Sequence, residues 1–133
     1  MACDLGSERI GVAISDASNT LATPFGTVRR SGSEATDHQA LAVIARENEV
    51  DQVIVGLPKS LRGHASLTAT AYANEAATIG ESLGLPVTCL DERFTTVIAQ
   101  RQRTQRSKKG RTDIDAEAAA VLLQDFLDRN KAG

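Results

Sequence analysis

Three acidic residues stand where an acid is costly. Asp4 lies in the apolar opening MACDL, directly before a glycine turn; Glu92 closes the run PVTCLDE; Asp115 begins DAEAAAVLL. A carboxylate at the end of a core element needs a positive partner. Several gathered together repel, and bare burial would make them take up protons. A divalent cation removes that conflict, and hard oxygen ligands suit Mg²⁺ or Mn²⁺. No Cys/His cluster supports zinc, because His38 and His64 stand alone in segments expected at the surface. Each acid has a plainer reading too. Asp4 can be a turn former, Glu92 can pair with Arg93, and Asp115 can complete a capping box with Thr112. Their common position, at the ends of core elements from distant parts of the chain, favours a metal-holding trio.

The choice of Asp115 over Asp113 comes from the helical wheel. At about 100° per residue, Asp115 shares a face with Ala118, Ala119, Leu122 and Phe126, and that apolar stripe must be buried. Asp113 points the other way.

Between Glu92 and Asp115 runs RQRTQRSKKGR, residues 101–111, with six basic residues and no acid. The net charge is −2, so no global field draws in nucleic acid and any attraction must be local. Cations beside a carboxylate trio fit a polyphosphate: the bases hold the backbone while the metal site works on one phosphorus. Arg106, Lys108, Lys109 and Arg111 are the expected backbone contacts. The alternative is a solvated helix end. Lys59 and Arg62 lie in a glycine-bearing loop after GLP, at the end of a strand where ligands often bind. Arg93 is expected to touch a phosphate or to orient Glu92. Stacking platforms are scarce, since Tyr72 and Phe94 both read as core, so recognition by shape and backbone is expected rather than base reading.

The elements that must position these residues follow from periodicity. Ala2–Leu5, Arg9–Ser15 and Phe25–Arg29 read as strands joined by short turns, hence as an antiparallel meander. Helical spacing appears over Glu34–Glu49, Ser66–Leu83, Thr95–Arg106 and Ile114–Asp128. Gln52–Leu57 and Pro86–Asp91 are β-rich runs that each follow a helix, so they should lie parallel to their neighbours. The order β-β-β-α-β-α-β-α-α gives an α/β fold: a mixed five-stranded sheet with helices on its faces. A chain of 133 residues fits one domain, 1–133, with one core. Cys3 and Cys89 sit in apolar runs and read as reduced core thiols. The start lacks a secretory pattern, and no stretch approaches the roughly 20 apolar residues that span a bilayer. A soluble, cytoplasmic protein is expected.

Taken together, DLGSERIGVAISD, ATP at 22–24, VIVGLP at 53–58, LPVTCLDERFTT at 85–96 and DIDAEAAAVLLQDFLD at 113–128 resemble the YqgF/RuvX family, a branch of the ribonuclease H-like superfamily related to RuvC-type Holliday junction resolvases. The resemblance implies a sheet of order 3-2-1-4-5, in which strand 4 separates Cys3 from Cys89 and forbids a disulfide. It also implies a metal-dependent nuclease maturing the 5′ end of pre-16S rRNA, or in some members resolving four-way junctions. The family's acids fall on Asp4, Glu92 and Asp115, which would hold one or two Mg²⁺ or Mn²⁺ ions. Only three residues precede Asp4, fewer than members usually have, which predicts a frayed first strand or a misassigned start. Phe94 stands where Leu is more usual.

The expected partner is nucleic acid, either a structured RNA precursor or branched DNA, with no membrane. A junction resolvase needs two active sites, yet no long apolar stripe advertises a dimer, so a monomer or weak homodimer is expected. A binding module on RNA or the ribosome with little catalysis is the reading of another class. A nucleotide clamp with the same Asp-x-Gly start would need a second half that this length does not provide.

Overall fold

The computed structural model describes residues 1–57, 67–91 and 111–131. Strands β1 (Ala2–Leu5), β2 (Arg9–Ser15), β3 (Ala22–Arg29), β4 (Val53–Leu57) and β5 (Val87–Asp91) form one sheet in the order β3-β2-β1-β4-β5. The β1–β2 and β2–β3 pairs are antiparallel, and β1–β4 and β4–β5 are parallel. The expected mixed sheet and its order are therefore present. The described helices are α1 (Glu34–Glu47), α2 (Leu67–Leu83) and α3 (Arg111–Lys131). The helix expected over 95–106 lies outside the described residues, as do His64 and Phe94.

Although β1 is short, it is not frayed. It pairs with β2 on one side and β4 on the other. The Met1 ammonium donates to the Gln52 carbonyl at 3.0 Å, and the Ile54 N–H donates to the Met1 carbonyl at 2.8 Å.

Strand alternation divides the core. Cys3, Leu5, Ile10, Val12, Val53 and Val55 pack with Leu41 and Ala45 of α1 and with Ala76 and Ile79 of α2. On the other face Ala2, Ala13 and Ile54 meet Ala119, Leu122, Leu123 and Leu127 of α3. The small residues on both sides of this second interface let α3 lie close to β1 and β2. Helices thus cover both faces. No described helix is long and apolar enough to cross a membrane.

The third strand begins earlier than the sequence suggests, at Ala22, and includes Pro24. Val12 pairs with Gly26 and Ala13 with Pro24, leaving Phe25 as an extra residue at a β-bulge. A proline is tolerated there because β3 is an edge strand whose ladder is already interrupted. The turn before it is closed by Asp16, which accepts hydrogen bonds from the Thr20 and Leu21 N–H groups and from the Thr20 and Ser18 hydroxyls. These bonds, those from the two backbone N–H groups first, hold its carboxyl down at about 2.

Two expectations about burial fail. Cys3 is buried, and burial pushes its thiol up to about 12, but Cys89 is exposed. It lies on β5, at the sheet margin, so an apolar neighbourhood in sequence does not cover it. Both thiols are free. Val55 pairs with Cys3 on one side and Cys89 on the other, so the two lie two strand spacings apart, roughly 10 Å, beyond disulfide reach. The second failure is His38, expected at the surface. It is 1% exposed and forms part of α1's buried stripe with Asp37, Leu41 and Ala45.

Candidate active site

Asp4 is the third residue of β1, the central strand, and is half-buried. Its cross-strand partners are Gly11 on β2 and Gly56 on β4. Paired residues share a sheet face, so the Asp4 carboxylate has no side chain directly beside it in either direction. It makes no hydrogen bond or ion pair among the described residues.

Asp115 reaches the same place from α3. A Cβ placed on Gly11 would overlap the Asp115 carbonyl and crowd the Ala116 nitrogen. The first part of α3 therefore rests on the bare backbone opposite Asp4. The faces chosen by the helical wheel agree, since Ala118, Ala119 and Leu122 are buried and Phe126 is partly so. The capping-box reading of Asp115 does not hold: α3 starts at Arg111, so Thr112 lies inside the helix rather than at its cap. The contact gives a direct prediction. Gly11→Ala forces α3 away from the sheet, at a cost of about 1–3 kcal/mol by overpacking, and moves Asp115 from Asp4. A Gly11→Ala protein that melts like wild type and keeps its activity would contradict this packing.

The Asp115 carboxylate holds a partner the sequence did not single out. Arg9, the first residue of β2, donates from Nε to Oδ2 at 2.5 Å. Both side chains are partly exposed, at 29% and 22%. The hydrogen bond to Asp115, reinforced by its charge, raises the Arg9 pKa above its already high value. Arg9 also lies 3.7 Å from the Glu8 carboxylate. A lone arginine that begins an apolar strand was the available signal.

The remaining expected site residues are only partly placed. β5 ends at Asp91, in register with Leu57; Glu92, next in the chain, lies outside the described residues. So do Arg93, Lys59, Arg62, Arg106, Lys108 and Lys109. Arg111 is the first residue of α3, which places its backbone four positions before Asp115.

On the opposite face of the sheet lies a second charged group. Arg30, just after β3, makes a bidentate pair with Glu75 of α2, at 2.5 and 2.9 Å. Glu75 also meets His38 Nε2 at 2.8 Å. Asp37 accepts from the Ser31 N–H at 2.9 Å and stands 4.0 Å from Arg30. Burial pushes the Glu75 carboxyl up, but the hydrogen bonds and charges of Arg30 and His38 outweigh it and leave it below its ordinary value. Arg30 also fixes the turn after β1: its Nε donates to the Gly6 carbonyl at 3.0 Å and its backbone N–H to the Glu8 carbonyl at 2.8 Å. Glu34, His38 and Glu75 offer ligand atoms within 4.8 Å of one another. With both Glu75 oxygens already held by a guanidinium, this group is an ion network that braces the hairpin, and a metal would have to displace Arg30.

The Asp4–Asp115 arrangement does fit a cation. One carboxylate is without a partner among the described residues, and the other holds a guanidinium as a stand-in positive charge.

The family described as "RuvX: Holliday junction resolvase" matches residues 1–129. A protein of Leifsonia xyli subsp. xyli named "Putative pre-16S rRNA nuclease" is 43% identical over 133 residues, covering 97% of this chain and 84% of its own length. Proteins of the same name from Mycobacteroides abscessus and Chloroflexus aurantiacus are 40% and 36% identical, covering 96% and 99% of this chain and 80% and 88% of their own. Among solved structures, Thermus thermophilus RuvC in complex with Holliday junction substrate superposes with a TM-score of 0.61 at 15% identity, over 97% of this chain and 92% of that one. RuvC of that organism alone gives 0.60 at 14%, over 98% and 94%.

Proposed function

This chain belongs to the RuvX family, and from that premise we propose that it is a metal-dependent nuclease acting in 5′-end maturation of pre-16S rRNA. Asp4 and Asp115 hold the metal, Mg²⁺ or Mn²⁺, with Glu92 as the third ligand. The observation that carries this reading is the seating of Asp115 on Gly11, directly across from the Asp4 carboxylate, which has no partner among the described residues. Two acids 111 positions apart in sequence meet at Gly11, and Arg9 answers only Asp115, which leaves a negative charge that a cation would offset. A divalent cation bound there would lower the pKa of water and offset charge on the phosphate.

The chain's own residues do the positioning. β2 and β4 fix Asp4 on β1 from both sides, and Gly11 and Gly56 leave room for a substrate phosphate to approach. The basic residues Lys59, Arg62, Arg93, Arg106, Lys108, Lys109 and Arg111 would hold the nucleic-acid backbone, which makes affinity fall with salt. The protein is read as one ribonuclease H-like domain, 1–133, acting in the cytoplasm as a monomer or weak homodimer.

A second reading keeps the chemistry and changes the substrate to four-way DNA junctions. It draws on the family's description and on the shared fold of RuvC. A cleavage panel in Mg²⁺ and Mn²⁺ separates the readings. It offers a precursor rRNA 5′ segment, single-stranded RNA, duplexes and a four-way junction. Cleavage of the precursor above the rest supports the rRNA reading; cleavage of the junction, with a dimer in sedimentation, supports the other. Binding without cleavage of any of them would leave a binding module and overturn both.

A further inference from the structure

A cavity of about 460 Å³ opens at Arg9, the partner of Asp115, and is lined by Ser7, Glu8, Arg9, Thr27, Arg29 and Arg30. Arg9 and Arg29 are directly paired across β2 and β3. Two like charges at opposed positions of neighbouring strands destabilise a sheet unless something negative lies between or beside them. Arg9 is answered by Asp115, with Glu8 further off at 3.7 Å. Arg30 is answered by Glu75. Arg29 is exposed and has no hydrogen bond or ion pair among the described residues. With Arg9 and Arg30 occupied and Glu8 at the rim, the cavity is close to neutral.

That balance depends on the same carboxylate that the proposed function assigns to the metal. We propose that Arg9 and Arg29 form a phosphate-binding subsite that is switched off while Arg9 is held by Asp115 and switched on when a divalent cation takes that carboxylate. The inference rests on Asp115 being a metal ligand. Once Asp115 turns to the cation, the Arg9 guanidinium loses its closer partner and keeps only the exposed Glu8 carboxylate, 3.7 Å away. It then stands next to Arg29 as a pair of cations answered by one exposed carboxylate, with Ser7 at the same wall. Guanidinium groups bind phosphate by two parallel N–H donors. A backbone phosphate of the substrate, next to the one being cleaved, is the ligand this pair fits. Metal and anion then help each other: the cation frees Arg9, and an anion on Arg9 frees Asp115. Such coupling is reciprocal and equal in both directions. The arrangement would also keep the apoprotein from holding nucleic acid at this subsite when no metal is present to act on it.

The test uses Mg²⁺ and sulfate as probes, so it needs no turnover. Mg²⁺ is titrated by calorimetry into the full chain and into Arg9→Gln, Arg29→Gln and Asp115→Asn. Sulfate is then titrated with and without Mg²⁺, read by NMR at the arginine Nε–H resonances. Arg9→Gln removes a competing cation and should bind Mg²⁺ more tightly, by up to about fivefold, the range expected for losing one partly exposed ion pair. Arg29→Gln should leave Mg²⁺ affinity unchanged without sulfate and lose sulfate binding with Mg²⁺ present. In the wild type, sulfate should bind more tightly in Mg²⁺, by the same factor by which sulfate tightens Mg²⁺. Unchanged or weaker Mg²⁺ binding by Arg9→Gln, or sulfate affinity indifferent to Mg²⁺, would overturn the switch. Full Mg²⁺ affinity in Asp115→Asn would instead overturn the metal site on which the switch depends.

Discussion

Asp4→Asn loses phosphodiester cleavage by about a thousandfold or more while still folding and still binding nucleic acid, as tightly as wild type or more so. The fold is spared because Asp4 contributes to neither core cluster and its side chain makes no hydrogen bond or ion pair among the described residues. Asparagine has nearly the same shape and meets the same two glycines. What it lacks is a full negative charge on the oxygens. A cation held by fewer charges is held less tightly and polarises less, so the loss falls on the chemical step. Removing a negative charge from beside a phosphate also relieves repulsion, so binding does not suffer. Cleavage rates and anisotropy binding curves on one labelled RNA decide the matter. Wild-type turnover by folded Asp4→Asn would remove Asp4 from the site.

The second large effect is on stability. Glu75→Ala should cost about 3–5 kcal/mol, the usual penalty for leaving a buried charge without its partner. Glu75 is 3% exposed, and Arg30 turns two nitrogens toward it. His38 would be stranded as well, since its Nδ1 already has no hydrogen-bond partner among the described residues. A urea melt with an unchanged slope and a lower midpoint is the expected signature. The pH dependence has a definite sign. The folded carboxyl lies below its ordinary value of 4.5, so its stabilising contribution is complete above that pH and is lost as the pH falls through the lowered folded value. Glu75→Ala should therefore show a flatter loss of stability in acid than wild type. Equal acid slopes in the two proteins would show that Glu75 is not ionised against Arg30. Since Arg30 also holds the Gly6 and Glu8 carbonyls, the same variant should loosen the turn that follows Asp4.

The sequence carried much of this architecture. The β-rich runs RIGVAIS and QVIVGL marked β2 and β4 because buried strands leave that imprint. The stripe Ala118–Ala119–Leu122 selected Asp115 because a helix pressed on a sheet buries one side only. Pairing between remote strands came from family likeness, since a short strand's neighbour is set by packing that no local pattern records. What stayed hidden was polar. His38 lies three residues before Leu41, on its buried side, yet a histidine reads as surface until Glu75 is known to face it. Arg9 was passed over because attention to runs of charge overlooks a single cation at a strand's start, although Gly11, two residues on, marked the close approach. Cys89 misled because an edge strand can be apolar in sequence and open in space. Glu92 and residues 101–110 of the basic tract lie outside the described residues, so their assignment rests on sequence.

The bulged outer strand has a consequence for self-association. An open sheet margin normally invites a second chain to extend the ladder. Here Pro24 offers no amide hydrogen, and Phe25 interrupts the regular spacing of the rest. That rim cannot template a continuous intermolecular sheet, so copies meeting there must do so through side chains such as the exposed Leu21 and Phe25, and growth into fibrils from that side is blocked by the backbone itself.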